Sequence, residues 1–109
     1  SNQIKYVYRM TSHLRQRYYE RILNEGWGGI SKVDSKIMSL FYKSKENKKW
    51  VNNTYMMEYF REKYNSTKMK IFIEPETNIV FVCKRDERIV ELYYIVTCFL
   101  AEKESMYLS

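Results

Sequence analysis

An α+β fold is expected from three stretches of this chain. Apolar residues recur at helical spacing through the first two-thirds, a period-2 run meets a β-branched run around turn residues at 69–83, and 89–101 is almost unbroken apolar sequence. The predicted order is three helices, a β-hairpin and a long apolar C-terminal helix, all in a single domain spanning 1–109.

The N-terminal stretch 4–10 reads two ways. Ile4, Tyr6, Tyr8 and Met10 alternate as in a strand, which would add a third strand, while Val7 and Met10 also continue a helical stripe. Leu14, Tyr18 and Ile22 place the first helix at 12–25, with Gly26 in the position a left-handed C-cap prefers. The segment Gly26-Trp27-Gly28-Gly29 lacks phosphate-loop spacing and reads as a helix–helix connection with Trp27 plugging the core. A second helix is expected at 31–42, capped by Ser31 or Asp34 and burying Val33, Ile37, Leu40 and Phe41. Residues 43–49 carry four lysines and read as a surface loop. The third helix, 52–64, starts at Asn52 or Asn53 and buries Tyr55, Met56, Tyr59, Phe60 and Tyr64.

Met69, Ile71 and Ile73 alternate with polar or outward positions, the pattern of a half-buried strand. Glu74-Pro75-Glu76-Thr77-Asn78 supplies turn chemistry, with Asn78 suited to a left-handed conformation, and 79–83 forms the return strand. Asp86 then reads as an N-cap for the last helix, in which Ile89, Leu92, Tyr93, Val96, Phe99 and Leu100 form a dimer interface. About 13 apolar residues fall short of the roughly 20 that cross a bilayer, so no membrane is expected.

Charge is uneven. Residues 1–70 hold 15 Lys and Arg against 6 Asp and Glu, and residues 71–109 hold 4 against 7, giving +9 and −3 and the total of +6. A basic body suggests a polyanion partner. Two cysteines and one histidine give neither a disulfide framework nor a metal-ligand set, so no metal or cofactor is expected, and the absence of an apolar leader points to an intracellular setting.

Three helices, a hairpin and a further helix make a winged-helix-like layout. It differs from that fold in a link of about eight residues before the third helix and in an acidic turn at 74–78. It predicts a non-enzymatic, homodimeric DNA-binding regulator, with DNA favoured over RNA. Asn53, Thr54 and Tyr55 would lie nearest the bases, and Lys43, Lys45, Lys48, Lys49, Arg61, Lys63, Lys68 and Lys70 would lie near phosphates. Reversing Lys48 and Lys49 should then abolish binding. The alternative is a protein–protein interaction module, an assembly subunit or a small viral or plasmid-borne inhibitor, that uses the aromatic surface and the apolar C-terminal helix; it predicts a sharp defect from Phe99→Asp. A catalytic reading of His13 with Arg15 and Arg17 is opposed by helical geometry, which sets Arg15 about 160° from His13. Glu74, Glu76 and Lys84 read as solvating residues rather than a carboxylate–lysine site.

Overall fold

The computed structural model describes residues 5–28, 32–51 and 54–101. The elements run β1 (Val7–Met10), α1 (Ser12–Tyr18), a π-helical turn (Tyr19–Leu23), α2 (Asp34–Lys43), β2 (Lys45–Glu46), α3 (Lys48–Val51), α4 (Thr54–Tyr64), β3 (Met69–Ile73), β4 (Ile79–Arg85) and β5 (Leu92–Leu100). The α+β class stands, and so does the hairpin: β3 and β4 pair antiparallel with Ile71 opposite Val82. Asn78 takes φ 61° at its turn. The remainder of the expected layout is corrected by the sheet.

The largest correction concerns the C-terminal unit. Residues 92–100 form a strand, β5, and not a helix. It lies inside a five-stranded sheet of order β1-β5-β4-β3-β2, second from one edge, antiparallel to β4 and parallel to β1. Both faces of the sheet are covered, so β5 needs apolar residues at successive positions. Tyr93 and Ile95 enter one core cluster with Leu14, Tyr18, Ile37, Leu40 and Phe41, while Val96 and Phe99 enter another with Met56, Met57 and Phe60. β4 is shared in the same way, Ile79, Phe81 and Cys83 facing the first cluster and Val80 and Val82 the second.

The winged-helix layout fails for the same reason: the sheet stands between α2 and α4. Among the described residues no dimer-forming helix follows β4, and Tyr93, Val96 and Phe99 are buried within the fold. Asp86 caps no helix. Its carboxylate accepts from the backbone N–H groups of Arg88 and Ile89, each at 2.9 Å, and so shapes the turn between β4 and β5.

Smaller corrections follow from local chemistry. The first helix begins as expected, Thr11 Oγ1 accepting from Leu14 N–H at 3.1 Å, and ends at Asn24, which takes φ 56° in place of Gly26. α2 starts at Asp34 after Val33, without a side-chain cap. The lysine-rich loop is partly ordered: β2 pairs with β3, and Asn47 Oδ1 accepts from Lys49 N–H and Trp50 N–H to start α3. The proposed caps Ser31, Asn52 and Asn53 lie outside the described residues. β1 is the extra strand that alternation allowed, but it joins β5 and not the hairpin.

β1 reaches only to Ile95 along β5, and α1 covers the edge beyond it. Thr11 Oγ1 donates to the Ile95 carbonyl at 2.9 Å, and Arg21 Nη1 donates to the Cys98 carbonyl at 3.1 Å. These side chains satisfy acceptors that an open edge would leave to water or to another chain.

The sheet curls until β1 and β3, separated by β5 and β4, meet above it. The rings of Tyr8 and Phe72 stand 5.4 Å apart, edge to face. Lys70 Nζ sits 3.4 Å from the Tyr6 ring centroid and 4.6 Å from that of Tyr93, and donates to Tyr8 Oη at 3.2 Å. Lys70, expected near phosphate, is instead the cation that closes this curl. Lys70→Ala is expected to lower the unfolding free energy by about 1–2 kcal/mol, the range for a partly desolvated cation–π contact. Lys70→Met should recover the part owed to the aliphatic stem, and urea unfolding of the two variants separates stem from charge. Equal stability of Lys70→Ala and wild type would show that the ring cluster holds without the ammonium.

Candidate anion-binding cleft

α4 must stop and reverse to enter β3, and Asn65 makes this possible at φ 49°, a left-handed conformation that asparagine tolerates. Ser66 N–H then donates to the Arg61 carbonyl at 3.0 Å, and Arg85 N–H donates to the Lys68 carbonyl at 2.9 Å. The α4–β3 connection is thereby held against the end of β4. Two adjoining hollows of ≈ 340 and ≈ 350 Å³ result, sharing Asn65, Ser66, Arg85, Asp86 and Glu87. The first adds Arg61, Thr67 and Lys68, and the second adds Lys84, Arg88 and Tyr94.

Five cations and two acids line this cleft, and one of the acids is already committed. Asp86 accepts from two backbone N–H groups, and its Oδ1 accepts from Tyr94 Oη at 3.0 Å. The backbone bonds from Ile89 and Arg88 hold its carboxyl below the usual range, and Asp86 in turn raises the Tyr94 phenol. Lys84 Nζ donates to the Tyr64 carbonyl at 3.2 Å. The ion pairs among the described residues, Arg15–Asp34 and Arg17–Glu20, lie elsewhere, so Arg61, Lys68 and Arg85 face the cleft without an acid bonded to them. Guanidinium forks and ammonium groups so placed suit bidentate recognition of phosphate or carboxylate.

The residues expected near phosphate are thus divided. Arg61 and Lys68 line the cleft, Lys70 is drawn into its tyrosines, and Lys63 Nζ rests 5.6 Å from the Tyr59 and Tyr64 ring centroids. Lys43 and Lys45 belong to the other end of the sheet, where Lys45 is opposite Ile73, and Lys48 and Lys49 are exposed on α3. Tyr55 is exposed on α4; Asn53 lies outside the described residues, and of Thr54 the backbone alone is described, as the start of α4. Of the six residues assigned to a dimer interface, Ile89 is exposed, Leu92 and Leu100 are half-buried, and the other three are in the core. Arg85 and Arg88 are cleft cations that sequence reading passed over, and Lys84 was weighed there only beside Glu74 and Glu76. Their signal was the charge run 84–88, read as a boundary between strand and helix.

Neither catalytic grouping is assembled. Arg15 turns from His13 to pair with Asp34, Nε to Oδ1 at 2.9 Å and Nη2 to Oδ2 at 3.0 Å. Glu74 is buried in the hairpin turn, accepting from Thr77 N–H at 2.7 Å, while Lys84 is at the opposite end of β4. Burial pushes the free thiol of Cys98 up to about 12 and that of Cys83 well above its usual value, which leaves both unreactive near neutrality. Among the described residues no cluster of three His, Cys, Asp or Glu side chains is placed to hold a metal, and no helix is long and apolar enough to cross a membrane. Comparison with protein families, curated proteins and solved structures gives no match to this chain.

Proposed function

We propose that the chain is a non-enzymatic nucleic-acid-binding protein that holds backbone phosphates in the cleft between 65–68 and 84–88. The observation that carries this reading is the convergence of Arg61, Lys68 and Arg85 in one hollow while Asp86 is consumed by its own turn. Contacts of this kind position a backbone and do not read bases, so the binding is largely independent of sequence.

The test is a salt titration of affinity for random-sequence duplex DNA, with single-stranded RNA in parallel. Three phosphate contacts predict a slope of about −2.7 in log K against log salt on duplex DNA. Absence of binding at low salt, or binding that ignores salt, would sink the reading.

A second reading, a protein-interaction module, is favoured by the turn after β4, where Ile89 and Val90 are 51% and 50% exposed. It predicts loss of partner binding in Ile89→Asp and no salt-dependent affinity for nucleic acid.

A further inference from the structure

A second group of cations gathers where α1 meets α4, outside the cleft. His13 and Arg17 are four residues apart on α1 and share a face. From α4, Tyr64 brings Oη to 3.4 Å from His13 Nε2, with the two rings 6.0 Å apart, and Lys63 stands over Tyr64. Glu20 is the acid nearby, and it accepts from Arg17 Nη1 at 2.8 Å and Gln16 Nε2 at 3.0 Å. Arg17 Nε is buried with no hydrogen-bond partner among the described residues. Arg21 adds its charge but spends Nη1 on Thr97 and the Cys98 carbonyl.

We propose that His13, Arg17 and Lys63 form a second phosphate site on the α1–α4 seam, one that takes a phosphodiester and tightens when the imidazole gains a proton. Imidazolium, guanidinium and ammonium donors arriving from two helices suit a tetrahedral oxyanion, which offers acceptors in several directions. The seam is joined to the cleft through Tyr64, whose ring meets His13 and whose carbonyl accepts from Lys84. One backbone can therefore lie over both, and in this the inference rests on the nucleic-acid reading.

The groups facing His13 fix the direction of its pH response. Burial, then Arg17, Lys63 and Arg21, lower its pKa from the ordinary 6.5, and Glu20 alone opposes them. A bound anion offsets those cations and raises the pKa of the complex above that of the free protein. Binding then takes up protons, so affinity rises as pH falls.

His13 is the one histidine of the chain, so its imidazole resonances need no assignment. They would be followed against pH in sulfate, whose charge is constant from about pH 5 to 8, and then in oligothymidylate. A midpoint raised by about one unit is expected in saturating sulfate, equivalent to roughly tenfold tighter binding in acid. Lys63→Gln and Arg17→Gln should each remove the shift without changing the circular dichroism, and Lys36→Gln, exposed on α2 away from both sites, should leave it. A midpoint unmoved by sulfate and oligonucleotide in wild type, or moved equally in Lys63→Gln, would overturn the site. A sulfate shift without DNA affinity would keep the site and end the nucleic-acid reading. DNA affinity without a shift would do the reverse.

Discussion

Replacing Phe99 with alanine is expected to lower the unfolding free energy by about 3–5 kcal/mol. Phe99 is 3% exposed and stands in a column of rings: Trp50 of α3 stacks on it at 6.1 Å, Phe60 of α4 does so at 6.1 Å, and Tyr64 follows Phe60 at 6.3 Å. Truncation removes the residue through which two helices hold β5, and the aromatic neighbours cannot collapse into the hollow without leaving their stacking geometry. For a protein stabilised by about 5–15 kcal/mol in all, the loss is a large fraction of the total. Phe99→Asp should leave no cooperative unfolding transition, since a carboxylate there would be buried without a partner. A folded Phe99→Asp protein impaired only in self-association would contradict the placement of β5.

Simultaneous Arg61→Glu, Lys68→Glu and Arg85→Glu is expected to weaken DNA binding at least about 100-fold at moderate salt and to bring the salt slope close to zero. The three side chains form no ion pair among the described residues, so the melting temperature should change little. The informative control is Lys48→Glu with Lys49→Glu on α3, which makes two-thirds of that change in net charge outside the cleft. That pair should cost several-fold less affinity. If it abolishes binding and the cleft variant does not, the basic body acts as a diffuse field and the cleft has no special part.

The hairpin was legible because Lys68 and Lys70 alternate with Met69 and Ile71 and because Asn78 marks its turn. β5 was not, and the reason is a bulge. Val82 pairs with Thr97 but Cys83 pairs with Ile95, so β5 carries one additional residue, Val96, across that step. The odd positions Tyr93 and Ile95 face the same cluster as the even positions Cys98 and Leu100, and alternation is erased. Nine such residues with no period resemble a buried helix, and the β-branched and aromatic content of Tyr93, Tyr94, Ile95, Val96, Thr97 and Phe99 was the signal to weigh instead. The cleft was half legible. Arg61 and Lys68 were named from charge alone, whereas Arg85 joins them only because β4 pairs with β3 and brings its end beside Lys68.

The position of β5 also constrains the order in which the chain can assemble. It follows every other described element in sequence, yet lies between β1 and β4, and the Thr11–Ile95 bond closes a separation of 84 residues. The β3–β4 hairpin and the helices need only near neighbours, so they can begin to form while synthesis is still under way. β1 cannot. A chain halted before residue 92 would expose the long apolar flank of β4 with nothing to pair it, the kind of surface on which nascent proteins aggregate or recruit chaperones.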